Sequence, residues 1–209
     1  MLWGGHSGGL EIRKRASGAM SLAGRFPYAG KPAVLSDGGR TGRPRKEIIA
    51  PNAFAYRVDK PDEDIHLLVG HSYDRPLASR GAGTLDIKDS ADALTFEATI
   101  TEEMQKVSYV RDILASIGAG LTLGISPGFR LPPKRAVPEP EKIEDEGHDP
   151  ENGAHNAIIR TVLAALLYEV SIVTRPAYPE AQVEARSWDV SRDGIKPVSN
   201  LNHLSRWRA

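Results

Sequence analysis

The chain has 209 residues, enough for one domain with tails, and its 27 Lys and Arg balance 27 Asp and Glu. A formal charge of zero argues against a protein that coats nucleic acid or an anionic membrane. The absence of cysteine excludes disulfide scaffolds, cysteine zinc sites and thiol nucleophiles.

Hydrophobic residues at 40% support a real core. The best apolar run, Val162 to Leu167, is far shorter than the ~20 residues of a membrane span. Met1 to His6 lacks the pattern of a signal peptide, so the expected compartment is the cytoplasm. Neutrality hides an asymmetry: residues 1–50 carry nine basic groups against three acidic ones. Residues 1–20 are expected to be a flexible arm, 21–186 the folded domain and 187–209 a polar tail. The basic stretch reads as a solvated arm, with contact to an acidic partner as the alternative.

Ile65 to His71 has the apolar density of a buried strand. Thr84 to Lys88 and Leu94 to Ile100 alternate, which predicts antiparallel strands joined by a hairpin loop over 89–92. From Thr101 to about Ile117, apolar positions recur at three and four, with Glu102 and Glu103 in the first turn. This predicts an amphipathic helix, stopped by Gly118 and Gly120. Residues 139–151 hold seven acids against Lys142, with Pro138, Pro140 and Pro150 in or beside them, and 133–155 is expected to be a solvated, mobile loop. Ala157 to Ala165 suits a strand or a short helix, and Leu167 to Thr174 is the clearest strand. The expected fold is α+β: short, mainly antiparallel strands closed or nearly closed as a barrel, with surrounding helices.

The chemistry reduces to serine. No H-E-x-x-H zinc motif and no phosphate loop are present. Gly124-Ile125-Ser126-Pro127-Gly128 matches G-x-S-x-G, but a nucleophile elbow needs a helix after the serine and an oxyanion N–H from the next residue. Pro127 supplies neither. Ser126 is nonetheless held extended by the following proline, and Gly124 and Gly128 suggest room for a substrate backbone. His71 stands where a buried strand emerges into a polar loop, a suitable place for a general base. Glu169 interrupts an apolar strand, and its carboxylate needs a cation or donor there. Alternation places Glu169 and Ser171 on one face and Tyr168, Val170 and Ile172 on the other. Each residue also has a structural reading: a turn serine, a packed histidine, an edge glutamate.

Four blocks taken together resemble the prohead (capsid maturation) proteases of tailed phages, a serine protease family related to the herpesvirus assembly protease, assemblin. They are Glu47 to Phe54, Leu67 to His71, Gly124 to Phe129, and Tyr168 to Ala177. The resemblance runs from about Leu22 to Arg186. It departs at Pro127, where many relatives have isoleucine, and at Gly70, where asparagine is frequent.

The resemblance implies His71 as base, Ser126 as nucleophile and Glu169 as third member; His66, Asp74 and Glu97 are the alternatives for the orienting role. Arg175 is its candidate oxyanion donor. It implies no cofactor and no metal. The substrate would be the scaffold segment of the major capsid protein inside the immature shell, in the host cytoplasm, together with the protease's own tails. A homodimer is expected, without nucleic acid or membrane partners. On this reading Ser171→Ala should leave cleavage intact. The rival readings are a non-catalytic assembly protein that retains the fold and a structural β-barrel module.

Overall fold

The computed structural model describes residues 10–14, 18–28, 32–40, 42–121, 124–174, 188–191 and 194–197. In chain order it begins with β1 (Leu10–Lys14), β2 (Met20–Pro27), β3 (Ala33–Ser36) and β4 (Arg45–Ile49), then the short helix α1 (Ala55–Val58). Next come β5 (His66–Val69), β6 (Ser72–Ser79), β7 (Leu85–Asp89) and β8 (Ala93–Ile100), followed by α2 (Glu102–Gln105) and α3 (Ser108–Gly118). The second half holds β9 (Gly124–Arg130), β10 (Glu141–Asp145), the two-residue strands β11 (His148–Asp149) and β12 (Ala154–His155), then β13 (Ile158–Val162) and β14 (Leu166–Val173). A hairpin of β15 (Trp188–Ser191) and β16 (Gly194–Pro197) lies in what was expected to be an unstructured tail.

The expected α+β class is observed, and three four-stranded sheets carry the domain, ordered β1-β2-β8-β7, β10-β13-β4-β3 and β6-β5-β14-β9. Pairing is mainly antiparallel, with β4–β13 and β5–β14 parallel. The sheets do not close into one hydrogen-bonded barrel among the described residues. β6 lies beside β8 and β2 beside β9 without a ladder. Both outer strands of the third sheet carry a proline, Pro76 in β6 and Pro127 in β9. A proline has no N–H to extend a ladder and is tolerated at a sheet edge.

Alternation sets the core. Leu22 and Phe26 of β2 meet Leu94, Phe96 and Ile100 of β8, and the third sheet adds Leu67, Val170 and Ile172. The predicted helix is present but broken. Thr101 caps α2 by accepting from the Met104 N–H at 3.3 Å, whereas Val107 turns extended and packs against the core before α3 starts. Gly120, at φ +72°, ends α3: its N–H donates to Ile117 and that of Leu121 to Ser116, a Schellman closure.

Two expectations of disorder are replaced by strands. Residues 10–14 form an edge strand paired with β2. The acidic run contains β10, which pairs with β13, and cations meet its carboxylates. Arg160 Nε donates to Glu141 at 2.7 Å, Arg43 bridges Asp145 at 2.7 Å, and Lys46 bonds Glu146. Two cations of the basic stretch, Arg43 and Lys46, thus meet two carboxylates of the acidic one, Asp145 and Glu146.

Candidate active site

The third sheet has one core face and one face carrying polar groups. Its parallel ladder sets Glu169 against His66 and Ser171 against Leu68, and its antiparallel ladder sets Ser171 against Ser126. Directly paired residues project to the same face. Ser126, Ser171 and Glu169 therefore share the face opposite Val170 and Ile172.

A β-bulge adjusts this phase. The register shifts between Leu167 and Glu169, leaving Tyr168 as the extra residue. Leu167 and Val170 both reach the core although three apart, so Tyr168 does not stand with Val170 and Ile172 as strict alternation predicts. Bulges re-aim side chains in this way. Here the Tyr168 ring carries the Arg57 guanidinium 4.3 Å from its centroid and that of Arg130 at 5.8 Å.

His71 occupies a two-residue hairpin turn between Val69 and Ser72, which pair directly. Gly70 and His71 have φ of +61° and +60°. Positive φ at both turn positions is the type I′ signature, whose twist suits the flanking strands. A left-handed histidine is unusual, and backbone bonds hold it. The Gly70 N–H donates to Ile172, and the His71 N–H donates to Ser171 Oγ at 2.8 Å.

The His71 ring then meets Glu169, with Nδ1 2.6 Å from Oε1. The other carboxylate oxygen accepts from Ser171 Oγ at 2.7 Å. Glu169 is 4% exposed and Ser171 0%, while 47% of the His71 side chain remains accessible. One carboxylate is thus buried with a donor on each oxygen, and the imidazole keeps an open edge.

The two serines that face each other across β9 and β14 differ sharply. Ser171 is buried, gives its hydroxyl proton to Glu169 and accepts from a backbone N–H. Ser126 is only half-buried, on the outermost strand of the sheet.

Of the other expected orienting groups, His66 is the register partner of Glu169 on the same face but is engaged otherwise, while Glu97 and Asp74 lie elsewhere. His66 Nε2 is 3.5 Å from Asp64 and its ring stands edge-on to Tyr73 at 5.8 Å. Glu97 accepts from Ser21 at 2.9 Å in the first sheet, and Asp74 is exposed on β6. Arg175 lies outside the described residues. Burial, and then the Glu169 charge, raise the Tyr73 phenol. At Gly128 the sequence suggests room for a substrate. It is instead filled by the protein itself, since a Cβ there would lie 1.8 Å from Glu169 Oε1.

A carboxylate holding a histidine on a sheet face shared with an accessible serine is the kind of arrangement serine peptidases use. A family model described as the caudovirus prohead serine protease matches residues 33–194, more than half the chain, and the chain belongs to that family. Comparison with curated proteins and with solved structures gave no match. No helix among the described residues is long and apolar enough to cross a membrane.

Proposed function

We propose that the chain is a serine endopeptidase of capsid maturation, with Ser126 as nucleophile, His71 as general base and Glu169 as the group that fixes the base. The observation that carries this reading is the 2.6 Å contact from His71 Nδ1 to a carboxylate on the same sheet face as Ser126. With Nδ1–H donated to Glu169, Nε2 is the nitrogen left to take the proton from Ser126 Oγ as it attacks a peptide carbonyl. The imidazolium that forms is stabilised by the same carboxylate, and then protonates the leaving amine. Water repeats the sequence on the acyl-enzyme. Donors aimed at the oxyanion contribute about 3–4 kcal/mol in such enzymes. Pro127 has no N–H to give, and Arg175 is our candidate for that role. No step calls for a cofactor.

Family membership supports a capsid-protein substrate. The scaffold segment of the major capsid protein, cut inside the immature shell in the host cytoplasm, is the target we assign, with the protease's own tails second and a homodimer as the working unit. The test is co-expression with the cognate capsid protein and mass spectrometry of both chains. Wild type should shorten the capsid precursor and Ser126→Ala should leave it full length. Cleavage that survives in Ser126→Ala overturns the assignment. A wild type that cuts nothing favours a non-catalytic assembly protein on the same fold.

A further inference from the structure

Sequence alternation makes Ser171 a neighbour of Glu169 and nothing more, but the structure gives its hydroxyl two obligations. It accepts from the His71 backbone N–H at 2.8 Å and donates to Glu169 Oε2 at 2.7 Å, in a position with 0% exposure. His71 itself is left-handed at φ +60°, a conformation that costs an L-residue roughly 1–2 kcal/mol and persists only where surrounding bonds fix it.

A closed ring of contacts results. The His71 main chain binds Ser171, Ser171 binds Glu169, and Glu169 binds the His71 ring. A hydroxyl has a single proton, so donating to the carboxylate leaves its lone pairs for the backbone N–H. Both directions are thereby set, and the hydroxyl is unsuited to act as a nucleophile. We infer that Ser171 is the positioning residue of this site, coupling the hairpin turn that carries the base to the carboxylate that orients it, so that the proton stays on Nδ1. The inference deepens the proposed peptidase reading and rests on it for its kinetic consequence, but not for its structural one.

Two measurements on the full-length chain separate these. With ¹⁵N-histidine labelling, at a pH where the ring is neutral, wild-type His71 should show the Nδ1–H tautomer. Ser171→Ala should shift it towards the Nε2–H form that free histidine prefers, and Ser171→Thr, which keeps the hydroxyl, should restore it. In capsid-precursor cleavage, Ser171→Ala should lower kcat on the order of 10²-fold with KM little changed, because a misplaced base slows chemistry without removing substrate contacts. Recovery in Ser171→Thr supports positioning by the hydroxyl. An unchanged tautomer in Ser171→Ala overturns the inference even if activity falls. If Ser126→Ala still cleaves, the peptidase assignment fails, and the tautomer measurement still decides the role of Ser171.

Discussion

Gly128 and Glu169 are register partners on neighbouring strands, and the space where a Gly128 side chain would begin is occupied by the glutamate's carboxylate, 1.8 Å from an ideal Cβ. The glycine is required by this close approach, which lets the Glu169 carboxylate pass over Gly128 to reach His71 Nδ1 at 2.6 Å. Gly128→Ala should therefore push the carboxylate off Nδ1. We expect a stability loss of about 1–3 kcal/mol from overpacking, and an activity loss on the order of 10²-fold from the displaced base. Thermal melting and cleavage rate check the two separately. A near-normal rate would mean that Glu169 has an equally productive alternative position.

Replacing Glu169 by glutamine keeps the shape and removes the charge. Ser171 and the His71 ring would still find polar partners, but an amide nitrogen facing the ring can donate, which invites the wrong tautomer. When an amide replaces the acid of a Ser-His-acid triad, the turnover number falls by about 10⁴-fold. We expect a loss of that order in capsid-precursor cleavage by Glu169→Gln, with melting close to wild type. A rate within a few-fold of wild type would move the third role elsewhere.

The turn carrying His71 constrains the residue before it. Gly70 has φ +61° with open space where a side chain would start, so its constraint is conformational and not steric. Asparagine also tolerates the left-handed region, so the turn is expected to accept it in place of Gly70. Gly70→Asn should melt near wild type and retain activity. Gly70→Val should cost about 1–2 kcal/mol and slow cleavage by disturbing the turn. Equal melting of the two variants would reject this account.

What the sequence made legible was whatever depends on neighbours along the chain. Alternation gave β7, β8 and β14, and Thr101 announced a helix start; the proline after Ser126 gave an extended serine. What it hid depends on distant partners. The bulge at Tyr168 is defined only by β9 across the ladder, so alternation alone put Tyr168 on the wrong face. Ser171 acquires its bonding from a turn 100 positions away, and therefore looked dispensable. The acidic run looked disordered because its cations lie far back in the chain: Arg43 meets Asp145 and Lys46 meets Glu146, also 100 positions apart. The candidate triad was nameable from the motif blocks, while Gly128 and Ser171, which hold Glu169 in place, emerge only once β9, β14 and the turn stand side by side.

That charge pairing has a pH signature. The Lys46 hydrogen bond, with backbone N–H groups of His155 and Ala157, brings the Glu146 carboxyl down to about 2 from an ordinary 4.5, against the opposing effect of burial. The folded value lies below the unfolded one, so the ionised carboxylate favours folding. Its contribution is complete above about 4.5 and is lost as pH falls towards about 2. Glu146→Gln retains an acceptor for the His155 and Ala157 N–H groups but has no charge for Lys46. The variant should therefore unfold at lower denaturant than wild type near neutrality, and the two midpoints should converge as pH is lowered through that window. A gap that stays constant down to pH of about 2 would assign the difference to packing or hydrogen bonding, and would leave the acidic strand held by something other than its salt bridges.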